Sequence, residues 1–446
     1  MARASSQVAP LKLDLAQSLK SSLKKIPVEQ LARKSGFQQR RAKKIEPLVF
    51  LKSALLLCTQ AHISLTVWAV LIGLLSHQVV SKQAVFGRLT GSAVEFLKAV
   101  LAGILIPLPQ RAGKPLAKVL GCFSRVLVQD STTVKLTEKL AEFFAGGSNQ
   151  HGKTPGVLRI QGILDLCSQR WLHFGLSSYL RNDQKASPDI LPYVQKNDLI
   201  LRDLGYFAIK VLQQIVDKKA FFLSRYYFRT AVFDLAGRPI DLLKHLRKQS
   251  RKGIWDGWVL IGKKEKLPVR LIAHRVPGHV AAERRRKARA HLKNRCQLSK
   301  EYLGQQDWTI YLTTVEQEIL GVEQVAALYG QRWQIEMVFK SWKSHFKLEL
   351  ISQEISKEQL EAVIYGKLIF IALIQPQLID PSPTQPQTGG YSPLKLCLFI
   401  SEYFLVLFFQ SEKIKLNVGL PLQLQRHSCY EKRKRRNMLQ NLLALC

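Results

Sequence analysis

The chain alternates between segments with a helical hydrophobic period and segments of short apolar runs. Residues 47 to about 115 are apolar at helical spacing, which predicts a bundle of helices. From Val119 onwards, apolar runs of strand length end at polar residues, as in a sheet. A helical period returns over residues 208–220 and again over residues 322–348, which the spacing predicts as one long helix. Strands followed by helices in this order predict an α/β fold.

Within the N-terminal bundle, residues 74–89 (LLSHQVVSKQAVFGRL) predict a helix, a short turn and a second helix capped by Ser81. The second helix would present Lys82, Gln83 and Arg88, which are side chains suited to DNA bases and phosphates. An ordinary helical hairpin fits the same spacing, so both interpretations stay open here.

Two acidic residues stand at the ends of strand-like runs. The run VLV is halted by Asp130 and the hydroxyl residues after it, and the run LILR ends at Asp203. In an α/β sheet the functional edge lies at the strand termini, so these two carboxylates are expected to converge there.

A third acid, Glu336, lies in the stretch YGQRWQIEMVFKSWK of the last long helix. At 3.6 residues per turn, Arg332, Glu336, Lys340 and Lys343 form a narrow polar stripe beside an apolar stripe. The apolar stripe consists of Ile335, Val338, Phe339, Trp342 and Phe346. A solvated helix face with a Glu336–Lys340 ion pair is one interpretation. In the other, Glu336 faces metal ions and the three cations bind DNA phosphates.

The charge balance indicates a polyanionic partner. The chain has 67 Lys and Arg against 32 Asp and Glu, a formal net charge of +35. Such a surplus is self-repulsive unless it is neutralised, and nucleic acid is the first candidate, before an anionic membrane surface. The apolar stretches Ile63–Leu75 and Leu368–Ile374 are shorter than the roughly 18 residues of a spanning helix, and the N-terminus lacks a signal-peptide core. We therefore expect a cytoplasmic protein outside the membrane.

Three carboxylates at one site of a basic protein would repel each other unless cations lay between them. Two Mg²⁺ ions about 3.5–4 Å apart would meet this need and clamp the oxygens of a phosphoryl transfer. Mg²⁺ prefers carboxylate oxygen, and the seven scattered cysteines, without any C-x-x-C, argue against a zinc site. Asp130, Asp203 and Glu336 are thus the predicted catalytic metal ligands for two Mg²⁺ ions, with Mn²⁺ as a substitute.

Four residues of the late helix follow a spaced signature. Tyr329, Arg332, Glu336 and Lys343 fit the pattern Y-x2-R-x3-E-x6-K at every position. In this motif the chain resembles the bacterial insertion-sequence DDE transposases with the Y-R-E-K signature. In that family a hydroxyl residue follows the first carboxylate, as in DST from residue 130, and the second lies in a D-x-G-[YF] context, as in DLGY from residue 203. The resemblance covers about residues 50–375.

The resemblance implies a ribonuclease-H-like catalytic core with a β-rich insertion. With the sequence pattern it predicts a basic N-terminal arm (1–46), a helical DNA-binding domain (47–117), a catalytic domain (118–375, insertion at about 230–315), a linker (376–395) and a C-terminal helical segment (396–446). It also implies a DNA-bound homodimer associated with the nucleoid. The implied partner is double-stranded DNA, both the terminal inverted repeats of a mobile element and the target, which a cut-and-paste reaction would cleave and join.

The resemblance adds two site residues. Tyr329 joins Arg332, Lys340 and Lys343 as a predicted DNA-binding residue. In relatives with the insertion, a Trp at its last strand stacks on a base flipped out near the transposon end, and Trp308, in the run DWTIYLTT, matches that Trp in context. A core Trp at the start of a strand is the other interpretation.

Three other functions fit part of the pattern. A transposase-derived DNA-binding protein would keep the charge without needing the three acids. A Mg²⁺-dependent nuclease would share the core, but it would not need the helical bundle or the basic insertion. A protein that binds a membrane surface would leave the acids unexplained.

Overall fold

The computed structural model describes residues 21–40, 44–60, 63–105, 120–147, 155–250, 252–290, 298–349, 355–378, 397–405 and 408. The first part of the predicted basic arm, most of the predicted linker and most of the predicted C-terminal segment lie outside these residues.

Helices form the N-terminal part of the described chain and then alternate with strands. The helices are α1 (Val28–Lys34), α2 (Pro47–Leu57), α3 (Leu65–Ser76), α4 (Lys82–Phe86), α5 (Gly91–Leu105), α6 (Asp183–Ala186), α7 (Ile209–Asp217), α8 (Leu242–Gln249), α9 (Gly278–Ala290), α10 (Lys300–Gln305), α11 (Val322–Gly330), α12 (Trp333–Ser344) and α13 (Lys357–Leu378). The strands are β1 (Val126–Leu136), β2 (Gly156–Asp165), β3 (Arg170–Ser178), β4 (Leu199–Arg202), β5 (Phe221–Arg225), β6 (Val232–Phe233), β7 (Ile254–Ile261), β8 (Leu267–Arg275) and β9 (Trp308–Thr313).

The nine strands form one sheet in the order β3-β2-β1-β4-β5-β9-β8-β7-β6. The central strands β1, β4 and β5 are parallel, and β2 and β3 extend the sheet antiparallel on one side. The segment predicted as the β insertion supplies β6 to β9, which continue the same sheet antiparallel beyond β5. The mixed α/β prediction is therefore confirmed, and the strand arrangement is consistent with a ribonuclease-H-like core.

The two faces of the sheet are covered by two hydrophobic clusters, because successive side chains of a strand point to opposite faces. In β1, Val126 and Val128 belong to a cluster that also contains Ile335 of α12 and residues of α2, α5 and α13. Leu127 belongs to the other cluster, with Leu212 of α7 and most of the buried apolar residues of β7 to β9. The apolar stripe predicted on the late helix is buried in the first cluster.

The N-terminal helices pack against the rest of the chain through α13, which contacts both α2 and α5. A Cβ atom at Gly366 of α13 would lie 3.3 Å from the carbonyl oxygen of Ala54, so the missing side chain lets α13 and α2 approach closely. The N-terminal helices, α13 and one face of the sheet thus share one hydrophobic cluster. Among the described residues, no helix has the length and apolar character needed to cross a membrane.

The predicted helix pair at residues 74–89 is present, and Ser81 begins α4 by accepting a hydrogen bond from the Ala84 amide at 3.2 Å. Lys82 and Gln83 are exposed. The expectation that Arg88 is presented to DNA is wrong, because its guanidinium donates 3.0 Å hydrogen bonds to the carbonyl oxygens of Phe37 and Ile45. Arg88 instead holds the chain around α1 in place.

Two predicted boundaries differ from the structure. The first strand does not stop near Asp130 but continues to Leu136, since its polar residues pair along β2 in an unbroken register. The single long helix predicted over 322–348 is two helices, α11 and α12, which are interrupted at Gln331 and Arg332. This interruption places Arg332 at the start of α12.

Candidate active site

The register of β1 and β4 brings Asp130 and Asp203 to the same level of the sheet. The parallel pairing matches Val128 with Leu201, and each aspartate follows two residues later in its own segment. The Asp130 Oδ1 atom accepts a hydrogen bond from the Ser131 amide at 2.8 Å, and Asp203 Oδ2 accepts one from the Gly205 amide at 3.0 Å. Each carboxylate is therefore fixed locally by its own backbone.

Glu336 joins them from α12, and one guanidinium contacts all three acids. Arg332 Nη2 lies 2.6 Å from Glu336 Oε1, Nε lies 3.5 Å from Asp203 Oδ1, and Nη1 lies 4.0 Å from Asp130 Oδ2. The Arg332 Nε atom is buried and makes no hydrogen bond of good geometry within the described part of the chain. The structure thus gathers the three predicted carboxylates, with Arg332 as their shared positive partner.

A glycine on the strand next to Asp130 makes room for an aromatic ring that packs against α12. Gly162 of β2 pairs with Asp130, and a Cβ atom there would lie 2.6 Å from the Trp171 ring and 3.4 Å from the Phe339 ring. A larger residue at this position would clash with Trp171, whose ring stacks on Phe339 of α12, the helix that carries Glu336.

Burial dominates the electrostatics of Asp130. Loss of solvent raises the pKa of this carboxyl to about 7, and the charges of Asp203 and Glu336 act in the same direction. The Ser131 amide and the Arg332 guanidinium oppose the change without cancelling it. A buried acid with a pKa in this range, next to two others in a cleft, is the kind of group found at functional sites.

An open cleft of about 410 Å³ adjoins the acids. Asp130, Glu336, Lys340 and Lys343 are among its lining residues. Lys340 is exposed, whereas Lys343 is half-buried and its Nζ atom lies 2.8 Å from Glu349 Oε1. The ion pair predicted as an alternative between Glu336 and Lys340 is replaced by the pair between Glu336 and Arg332.

Tyr329 is half-buried beside the same acids. Its hydroxyl donates to the carbonyl oxygen of Arg202 at 3.3 Å, and its ring packs edge-on against Tyr311 at 5.5 Å. Burial raises the pKa of Tyr329 to about 12, so the hydroxyl stays protonated and able to donate. In this position it links α11 to the residue that precedes Asp203.

Polar residues that the sequence did not single out connect the strands behind these acids. Arg202 is buried, and its Nη1 atom donates to Gln129 Oε1 at 2.7 Å, so the residues just before Asp203 and Asp130 are joined. Burial lowers the pKa of Arg202 to about 10, which still leaves it charged at neutral pH. A polar residue at the end of each apolar run, in VLVQD and LILRD, was the available signal.

Trp308 is a core residue in this structure, and the predicted base-stacking role is not retained. It belongs to the second hydrophobic cluster and is only 4 % exposed, so its ring presents no face on which a base could stack. Its carbonyl oxygen accepts a hydrogen bond from Arg284 Nη1 at 3.2 Å, which attaches α9 to β9.

The three acids suit Mg²⁺, because all of their donor atoms are carboxylate oxygens. In addition, the neighbouring protein groups do not offset the burial of the Asp130 charge, as its raised pKa shows. Within the described ranges, however, no three His, Cys, Asp or Glu side chains already stand in the arrangement of a metal site. The Arg332 guanidinium instead contacts each of the three acids.

An α/β sheet with two aspartates at one level and a glutamate on a following helix defines the DDE class of polynucleotidyl transferases. A family model described as "Transposase DDE domain" matches residues 121–371, which is more than half of the chain. The chain belongs to this family, and it is a DDE transposase, as the sequence resemblance predicted.

Individual relatives agree with this assignment. The transposase for insertion sequence element IS231B from Bacillus thuringiensis subsp. berliner is 28 % identical over 375 residues, which are 77 % of this chain and 75 % of that protein. The transposase for IS1151 from Clostridium perfringens is 26 % identical over 321 residues, 66 % of this chain and 65 % of that protein. A solved piggyBac transposase synaptic complex with hairpin DNA covers 95 % of this chain and 86 % of its own, at 10 % identity and a TM-score of 0.42, a likeness too slight to bear on the fold.

Proposed function

We propose that this transposase cleaves DNA at the ends of a bacterial insertion sequence and joins those ends to a target, with Asp130, Asp203 and Glu336 as its catalytic carboxylates. The observation that supports these roles most directly is the meeting of the three acids at Arg332, beside an open cleft with two lysines. The relatives named above are transposases for insertion sequence elements, which supports DNA ends as the substrate.

The three carboxylates would hold two Mg²⁺ ions, with Mn²⁺ as a substitute. When bound, such ions activate water and neutralise the charge that develops on the phosphoryl oxygens. Burial around Asp130 serves this purpose, because it makes the carboxylate depend on a nearby positive charge. Arg332 pairs with the three acids and is also proposed to bind a DNA phosphate. It can bind the phosphate only when the metal ions have replaced it as the positive partner of the acids.

The cleft lysines and Tyr329 complete the proposed DNA contacts. Lys340 and Lys343 line the cleft on the same helix as Glu336 and are placed to bind backbone phosphates next to the reacting bond. Tyr329 is proposed to help keep Arg332 in place, because the Arg332 guanidinium lies over its ring at 5.9 Å, as well as to contact DNA. These residues, with Glu336, support membership of the Y-R-E-K subgroup.

The wider arrangement is part of the same proposal. The sheet order supports a ribonuclease-H-like core with the insertion formed by β6 to β9, and the exposed Lys82 and Gln83 of α4 support end recognition by the N-terminal helices. The net charge of +35 supports double-stranded DNA as the partner for both repeats and target. A homodimer that binds two ends, a cut-and-paste reaction and an association with the nucleoid complete the proposal.

The test uses the inverted repeats that flank the gene as a DNA substrate. The variants Asp130→Ala, Asp203→Ala and Glu336→Ala should each slow strand cleavage by more than about 1,000-fold while binding the ends nearly as well as the wild type. Asp234→Asn is the matched control, because it removes a carboxylate paired with Arg238 in the insertion, far along the sheet from the acids. A Glu336→Ala protein that still cleaves would refute the assignment. Wild-type protein that binds the ends but never cleaves with Mg²⁺ would favour the non-catalytic DNA-binding alternative.

A further inference from the structure

A fourth carboxylate, that of Asp183, lies beside the strands that carry the proposed catalytic aspartates. Its Oδ1 atom accepts three hydrogen bonds, from Ser131 Oγ at 2.8 Å, Arg159 Nη1 at 2.7 Å and Gln161 Nε2 at 3.2 Å. Ser131 directly follows Asp130, so one of these bonds holds β1 at the position of the first catalytic acid. Asp183 therefore contacts β1 and β2 at once.

The same network reaches the segment that follows Asp203. Gln161, which binds Asp183 through its amide nitrogen, accepts a 2.6 Å hydrogen bond from the Tyr206 hydroxyl through its amide oxygen. A Cβ atom at Gly205 would lie 3.4 Å from Asp183 Oδ2 and 3.5 Å from Asp203 Oδ2, so both carboxylates lie next to this glycine. Asp183 therefore lies next to the turn that orients Asp203.

Asp183 does not serve as the cap of the short helix that it begins. That role belongs to Asn182, whose Oδ1 atom accepts a hydrogen bond from the Lys185 amide at 2.9 Å. The Asp183 side chain instead turns towards the sheet, where its partner Arg159 is only 9 % exposed. A charge-assisted bond to a buried guanidinium is among the stronger and more rigid polar contacts in a protein.

We propose that Asp183 is a positioning residue of the active site, which fixes Asp130 through the Ser131 hydroxyl and Asp203 through Gln161 and Tyr206. This inference rests on the proposed catalytic roles of Asp130 and Asp203. Its physical basis is that misplacement of a reacting group by about 1 Å can slow an enzyme by about 100-fold. The network would keep the two aspartates aligned while Arg332, the cations and the DNA exchange places around them.

The experiment measures single-turnover cleavage at saturating DNA, end binding and thermal unfolding for the same set of variants. Asp183→Asn and Ser131→Ala should each slow cleavage by about 10- to 100-fold with end binding unchanged. Ser131→Ala leaves the Asp183–Arg159 ion pair intact, so it tests the link even if the Asp183 variant folds poorly. Ser131→Thr keeps a hydroxyl and should restore cleavage. The double variant should be no slower than the slower single variant, because the Ser131 hydroxyl acts through its bond to Asp183.

The matched control is Asp189→Asn. Asp189 is the other Arg-paired carboxylate of this segment, with Oδ2 2.6 Å from Arg181 Nη1 and a similar exposure, but its ion pair does not involve β1. It should cleave like the wild type. Asp183 and Ser131 variants as active as Asp189→Asn, or effects that add in the double variant, would overturn the inference. If Asp130→Ala is inactive in the same assay, such a result removes only the role of Asp183; if Asp130→Ala cleaves normally, the proposed function itself fails.

Discussion

Arg332 and Glu336 form an ion pair one turn apart, with 2.6 Å between Nη2 and Oε1, at the first turn of α12. The same guanidinium reaches Asp203 and Asp130, so the helix that supplies the third acid also supplies the cation that compensates all three. Arg332 can thus keep the carboxylates together without divalent ions. If the acids hold such ions as proposed, Arg332 and the ions would compete for the same three carboxylates.

The first prediction concerns this competition. Arg332→Ala should lower the free energy of unfolding by about 2 kcal/mol without divalent ions, since it leaves three neighbouring carboxylates unpaired. Added Mg²⁺ should raise the melting temperature of this variant more than that of the wild type, because no guanidinium has to be displaced. Thermal unfolding with and without Mg²⁺ measures both effects. The control is Arg238→Ala, an exposed partner of Asp234, and an equal response to Mg²⁺ in all three proteins would refute the competition.

The second prediction concerns pH. The pKa of Asp130 is about 7 in the folded chain because of burial, well above its ordinary value. The folded state therefore binds the proton of the Asp130 carboxyl more tightly than the unfolded state does. Protonated Asp130 stabilises the fold at low pH, and this stabilisation is lost as the pH rises from about 4 to about 7. Asp130→Asn should remove this loss and be more stable than the wild type at pH 8 by about 2–4 kcal/mol in the absence of divalent ions.

Urea unfolding at pH 5 and pH 8 measures the pH effect. Asp189→Asn is the control and should keep the wild-type dependence, since Asp189 lies outside the group of acids around Arg332. Mg²⁺ binding needs the deprotonated carboxylate of Asp130, so protons compete with the metal. The Mg²⁺ concentration that half-saturates the wild-type protein should therefore rise as the pH falls from 8 to 6. A pH-independent Mg²⁺ requirement would contradict this view of Asp130.

The third prediction concerns the cleft lysines. Lys340→Ala and Lys343→Ala should each reduce the slope of the logarithm of DNA affinity against the logarithm of salt concentration by about one unit, without a change in sequence preference. The effect of Lys343 should be smaller if its ion pair with Glu349 persists in the complex. Lys218→Ala is the control. Lys218 lies between the end of α7 and the start of β5, whereas Asp203 follows the end of the parallel strand β4, so the two residues lie at opposite ends of these strands. Unchanged slopes for both cleft lysines would place them on an ordinary solvated helix face.

The fourth prediction separates two tryptophans. Trp308 is 4 % exposed within a hydrophobic cluster, so Trp308→Ala should destabilise the fold by about 3–5 kcal/mol through the cavity it leaves. Trp333 is 49 % exposed at the start of α12, and Trp333→Ala should change stability little. Chemical unfolding of both variants measures the difference. A fully stable Trp308→Ala protein that cleaves slowly on intact ends but normally on an abasic substrate would restore the stacking role.

Local sequence pattern predicted what depends on neighbours in the chain. Strand β4 and the cap at Ser81 follow from the short-range hydrophobic period and from residue type. The expectation that Asp130 and Asp203 converge at one edge of the sheet agrees with the pairing of β1 and β4, which places them at the same level. The break between α11 and α12 was not predictable in this way, because Gln331 and Arg332 keep helical backbone angles and the hydrophobic period runs on through them.

Residue type alone also failed where a side chain had a partner far away in the chain. Arg88 is basic and lies where the sequence predicts a DNA-reading helix, but it follows the end of α4 and is held by carbonyl groups more than forty residues earlier. Asp183 attracted no notice, since its importance depends on Ser131, fifty-two residues before it, and on Arg159, twenty-four residues before it. Such contacts are decided by the register of β1 and β2, which no local pattern specifies.

The close approach of α13 and α2 at Gly366 has a consequence for how such proteins diversify. The N-terminal helices and the sheet both pack against α13. The surface that each part buries is therefore specific to this α13, and the α13 of another protein would not match it. Recombination that exchanges the N-terminal helices between relatives would succeed only if the matching α13 were exchanged as well. The two segments are far apart in the sequence, since α5 ends at Leu105 and α13 begins at Lys357. We therefore expect lineages of this architecture to change their N-terminal helices by gradual substitution rather than by swapping modules.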